Sequence, residues 1–125
     1  LQTSGASVCS PSVTAFIERM YELVLQRRVD AASLAHWEAA CRDGRVGTRL
    51  VRSLILSDEF AQMELSDSEF IQLLYAALLL RQPMRREFLN WRRLLLFGKS
   101  RADILDKFLT SPEFAAACNA FRVRA

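Results

Sequence analysis

The sequence has few of the residues that break or turn a chain: four glycines and three prolines in 125 residues. A loop-rich or many-stranded β fold needs both at its turns, so their scarcity argues against one. Histidine is almost missing too. His36 is the only one, and any Ser/His/Asp or Cys/His catalytic arrangement would have to use it. It neighbours Trp37 on a polar face, so no catalytic residue is expected and the chain is not read as an enzyme. No apolar run approaches the roughly 20 residues of a membrane span. The longest, 73–80, contains Tyr75. The three cysteines, Cys9, Cys41 and Cys118, lie far apart with no Cys-x-x-Cys, which excludes the usual metal-binding spacings. Lysine is confined to Lys99 and Lys107, so nearly all the positive charge is arginine.

What is present describes a folded chain. Hydrophobic residues make up 51% and charged residues 25%, which is ordinary for a globular domain and excludes disorder. The net charge of +3 does not by itself indicate a nucleic-acid binder. The chain starts at Leu1 rather than Met, as expected of a processed product or excised domain. Residues 1–10 are mostly small and polar and read as a flexible tail.

The dominant feature is an internal repeat. Phe16-Ile17 recurs as Phe70-Ile71, an offset of 54 residues, and the same offset maps Tyr21 onto Tyr75, Arg27 onto Arg81 and Trp37 onto Trp91. It ends by mapping Ser57, Glu59 and Phe60 onto Ser111, Glu113 and Phe114. Both tryptophans and both tyrosines fall in register. The units read as 11–63 and 64–118, followed by a C-terminal tail, 119–125. Phe16, Ile17, Met20, Tyr21 and Val24 form one helical face, repeated from Phe70 to Leu78. Asp30, Ser57, Ser66, Ser100 and Ser111 stand where N-caps are expected. Pro112 suits a first helical turn. Gly44 and Gly98 fit the positions that follow a helix. Each unit therefore reads as four helices, and the fold as all-α: a tandem duplication packed into one globular domain.

Phe-Ile-x-x-x-Tyr, then Leu-x-Arg, a Trp, a Gly and a closing Ser-x-Glu-Phe resemble the bacterial domain family DUF4214, of unknown function. Its units are similar to helical domains of the phycobilisome-linker type. The resemblance implies a non-catalytic protein-interaction or scaffolding module of an exported protein, extracellular or at the cell surface. The partner is then another protein or another domain of the parent chain. The family pattern carries Gly where Gln26 and Leu80 stand, and a Pro-Asp loop before the Trp. Here Asp30 persists in the first unit, whereas Met84 replaces it in the second.

Arg27 with Glu59, and Arg81 with Glu113, read as one charge-assisted tie per unit. Tyr21, Tyr75, Trp37 and Trp91 read as core rather than a sugar platform. No cofactor is expected. Asp30, Asp58 and Glu59 offer oxygens to calcium but lack the alternating acidic loop of an EF-hand. Arg85, Arg86, Arg92 and Arg93 form a basic cluster at helical spacing. That cluster supports the alternative of an accessory domain binding glycans or anionic polymers. Cys41 matches Leu95 and reads as a buried thiol, and Cys9–Cys118 is the expected disulfide if the protein is exported. The second unit is richer in apolar residues: Glu22, Gln26, Arg42 and Asp43 correspond to Ala76, Leu80, Leu96 and Phe97. This surplus is read first as filling the seam between the units. The other reading is an exposed patch around Leu80, Leu96 and Phe97 that meets a partner.

Overall fold

The computed structural model describes residues 11–41 and 46–125. Eight α-helices appear among them: α1 Pro11–Met20, α2 Ala31–Ala40, α3 Gly47–Ile55, α4 Asp58–Gln62, α5 Asp67–Leu74, α6 Arg85–Leu96, α7 Arg101–Leu109 and α8 Pro112–Ala120. No strand occurs among the described residues. Helix starts follow local chemistry. Asp30 accepts the Ser33 amide, Ser57 that of Phe60, Ser100 that of Asp103 and Ser111 that of Phe114. Each side chain satisfies an amide that has no partner within its helix. At α5 the exchange is reciprocal, because the Ser66 amide also donates to Glu69 at 2.9 Å. Gly98 takes φ +102° after α6, as its place beyond the helix requires. Gly44 lies outside the described residues.

α1 and α5 do not end cleanly. Each runs into a single π turn, Tyr21–Leu25 and Tyr75–Leu79, in the same register of the repeat. Gln26 and Leu80 follow with φ of 57° and 60°, their amides donating to the carbonyls of Tyr21 and Tyr75. A left-handed backbone costs a side-chain-bearing residue about 1–2 kcal/mol, which accounts for the glycine that the resembled family carries there. Leu80 is 45% exposed, so truncating it forfeits little packing. Leu80→Gly is therefore expected to stabilise the fold by about 1 kcal/mol, read as a rise in the thermal midpoint.

One core serves both units. Phe16, Ile17, Met20 and Val24 meet Phe70, Ile71, Leu74 and Leu78 in a single cluster with Leu50, Val51, Ile104, Leu105 and Phe114. No polar or charged residue is buried among the described residues. The halves meet through equivalent positions of the repeat. The two π turns touch, and Arg52 of α3 pairs with Asp106 of α7, its own counterpart 54 residues on. The ends cross over. Phe60 of the first unit sets its ring edge-on to Phe70 of the second, with centroids 6.3 Å apart. Phe121, from the end of the chain, does the same to Phe16 at 5.6 Å. The segment read from the sequence as a tail is thus a docked element. Val123 is buried, and the Gly47 amide donates to the Arg124 carbonyl at 2.8 Å.

Part of the surplus in the second unit does lie at the seam. Arg19 of α1 reaches across to donate to the carbonyls of Ala76 and Ala77, both at 2.9 Å. Ala76, where the first unit has Glu22, is half-buried at this contact, and Ala77 is buried.

Candidate functional site

The residues shared by both units converge on one constellation per unit. The π turn positions each tyrosine, and the helix after it brings the tryptophan alongside. Trp37 Nε1 donates to Tyr21 Oη at 3.1 Å, and Trp91 Nε1 to Tyr75 Oη at 2.9 Å. Trp37 is buried, whereas Trp91 is only half-buried. The arginine just after the π turn stacks over the tyrosine ring, Arg27 at 5.3 Å and Arg81 at 4.9 Å. It then forks onto the glutamate of the closing helix. Arg27 Nε and Nη2 donate to Glu59 at 2.6 and 3.0 Å, and Arg81 does the same to Glu113 at 2.6 and 3.2 Å. The structure therefore brings all four sequence-identified ion-pair residues together as two bidentate pairs.

Glu87 joins the second constellation and is not apparent as a member from the sequence. Its carboxylate takes two further bonds from Arg81, at 2.8 and 2.9 Å, and one from the Met84 amide at 2.9 Å. In the first unit Asp30 caps the Ser33 amide. In the second, Met84 cannot cap, and Glu87, standing at the Ser33 position, reaches back instead. These donors hold the Glu87 carboxyl down to about 2, with Arg81 the main cause. The Arg81 guanidinium is correspondingly raised above its ordinary value. Hydrogen bonding from Arg27 lowers Glu59 as well. A group with a depressed folded pKa stabilises the fold above its unfolded value and loses that contribution as pH falls through the folded one. Stability is therefore expected to decline between about pH 4.5 and pH 2. Arg27→Ala and Arg81→Ala should each lower the thermal midpoint, Arg81→Ala by more, and Arg81→Ala should flatten the acid dependence. Denaturant titrations across that pH range check both.

A cavity of about 150 Å³ lies beside Tyr75, lined by Arg81, Glu87, Trp91, Phe108 and Glu113 among others. Its ionisable groups are largely committed to one another. His36 packs edge-on to Trp37 at 4.9 Å and is exposed. Among the described residues, no three His, Cys, Asp or Glu side chains gather where they could share a metal ion. Asp30 serves as a cap and Glu59 as the Arg27 partner.

The cysteine expectations are corrected. Cys118 is a free thiol, fully buried beneath Gly47, so it does not form the Cys9–Cys118 disulfide. Burial pushes that thiol up to about 12 and makes it inert. Cys41 is half-buried and disulfide-bonded rather than a free thiol. Cys9 lies outside the described residues.

The seam reading is also overturned for the rest of the apolar surplus. Leu80 is 45% exposed, and Leu96 and Phe97 are each 79% exposed. α6 has no fully buried residue: Phe88, Trp91 and Leu95 pack against the core but are only half-covered. Its outer face carries Leu89 together with Arg85, Arg86, Arg92 and Arg93, all exposed. The two candidate surfaces, apolar and basic, thus coincide on one helix.

The sequence profile of DUF4214, a domain of unknown function, matches residues 51–118, from the middle of α3 into α8. No curated protein and no solved structure matches the chain.

Proposed function

The chain belongs to the DUF4214 family, and from that premise we propose that it is a non-catalytic interaction or scaffolding module of an exported or surface-associated bacterial protein. The observation that carries this reading is a division of labour. Polar groups common to both units are tied to one another inside each unit. Large apolar groups unique to the second unit, Leu80, Leu96 and Phe97, stand in solvent. Such a surface serves contact with another protein, or with a further domain of the same parent chain, better than it serves a reaction. The disulfide at Cys41 supports an oxidising location. The four exposed arginines favour a second reading, in which the same helix holds glycans or anionic polymers.

The test is retention on isolated bacterial envelopes of the chain fused to a fluorescent reporter. The expected result is retention that Phe97→Asp abolishes while the fold stays intact by circular dichroism. Passage of the wild-type fusion through without retention would sink the proposal. Retention lost with Arg92 and Arg93 but indifferent to Phe97 would favour the second reading.

A further inference from the structure

Five arginines of the fold have a structural duty. Arg19 caps carbonyls, Arg27 and Arg81 hold carboxylates, Arg52 holds Asp106, and Arg101 bonds the Leu65 carbonyl and Asp67. The four on α6 have none, which is also true of the side chains of Arg28, Arg49, Arg122 and Arg124, but only these four share one helix face. Arg85, Arg86, Arg92 and Arg93 are exposed, and no ion pair or side-chain hydrogen bond engages them among the described residues. The one acid of that helix, Glu87, is committed to Arg81.

Their arrangement is regular. Leu89 and Leu96 lie two turns apart on one line of the helix. Arg85 and Arg92 border that line on one side, and Arg86 and Arg93 on the other. Phe97 follows at the end of the helix, on the Arg86 and Arg93 side of that line, and Leu96 and Phe97 are the most exposed large apolar residues described. The result is a cationic border around apolar tips, with no ion-pair partner for it among the described residues.

The geometry points to an anionic lipid bilayer as what this face meets. The inference rests on reading the outer face of α6 as the contact surface, and it departs from the proposed function in the partner, which is lipid in place of protein. A partner helix would need an apolar seam at i, i+3 or i+4, and i+7. Between Leu89 and Leu96 those intermediate positions are Arg92 and Arg93, whose charges a packed seam would strip of water without compensation. A second copy of the chain would set guanidiniums against guanidiniums. A soluble anionic polymer answers the charge but leaves Leu96 and Phe97 in water. A bilayer surface answers both at once. Arginines reach the phosphates bidentately while their stems lie along the apolar region, and Leu89, Leu96 and Phe97 enter the boundary between head groups and acyl chains. A deformable surface also requires no matching cleft.

The probe is co-sedimentation with vesicles of phosphatidylcholine alone and of phosphatidylcholine mixed with phosphatidylglycerol. The chain is expected to sediment with the mixed vesicles and not with the neutral ones, less so at high salt. Arg92→Gln with Arg93→Gln should weaken binding by roughly fivefold for each charge removed. Leu96→Ser with Phe97→Ser should weaken it too, at unchanged charge. Failure to bind the mixed vesicles, or binding indifferent to either double substitution, overturns the inference. If vesicle binding fails while envelope retention still depends on Phe97, the lipid assignment falls and the proposed function stands. If both fail, the reading of the face falls as well.

Discussion

Phe70→Ala is expected to cost about 4 kcal/mol, a large part of the 5–15 kcal/mol that holds a domain of this size together. Phe70 is fully buried at the start of α5. Its ring receives the edge of Phe60 from the first unit, and the Arg101 guanidinium lies 5.0 Å from its centroid. Truncation empties a site where elements from both units meet, so no single helix can shift to refill it. It also leaves Arg101 without its aromatic surface, although the bonds to Leu65 and Asp67 remain. Guanidinium unfolding of the variant should show a much lower midpoint with an unchanged slope. Phe97→Ala, on the exposed face, should leave the midpoint nearly where it was. Comparable midpoints for the two would contradict the packing described.

Gly47→Arg should be nearly as damaging, by a different route. The substitution installs the residue that the second unit already has at that position, Arg101, so the repeat alone would call it harmless. The docked end of the chain makes it otherwise. A Cβ on Gly47 would lie 2.9 Å from the Cys118 Sγ and 3.0 Å from the Arg124 carbonyl oxygen. That carbonyl also accepts the Gly47 amide, so relieving the clash pulls the bond apart. Overpacking of this kind costs about 1–3 kcal/mol, more when backbone must move. Gly47→Ala is the milder probe of the same contact. Undocking of the 121–125 segment should be visible as faster alkylation of Cys118 and as loss of protection at the Gly47 amide.

Much of the fold is legible in the sequence because the repeat makes each inference twice. Tyr and Trp meet at a separation of 16 residues in both units, and Arg and Glu at 32. A pair recurring at one spacing announces a contact. The serine caps are equally plain, since they act within one turn of chain. What escapes is whatever the halves do not share. Glu87 is a tie residue only because Met84 lost the cap, and two divergences must be combined to see it. The Cys9–Cys118 expectation rested on the closeness of chain ends, whereas Cys118 faces into the core beneath Gly47. Leu96 and Phe97 read as seam residues because apolar surplus usually seeks cover. Burial there depends on which helix lies opposite, and periodicity carries no information about that.

The Arg52–Asp106 contact bears on how such a chain can arise. In a dimer of identical chains, a residue on the two-fold axis must face itself. An arginine there meets an arginine, and an aspartate meets an aspartate. Both arrangements repel, and no single substitution in the shared gene can turn either into a pair of unlike charges, because it alters both sides together. Once the two halves share one polypeptide, position 52 and position 106 mutate independently. An attractive pair of unlike charges at the axis then becomes attainable. The bridge between α3 and α7 is thus an interaction open to a fused duplication and closed to a symmetric dimer of identical units.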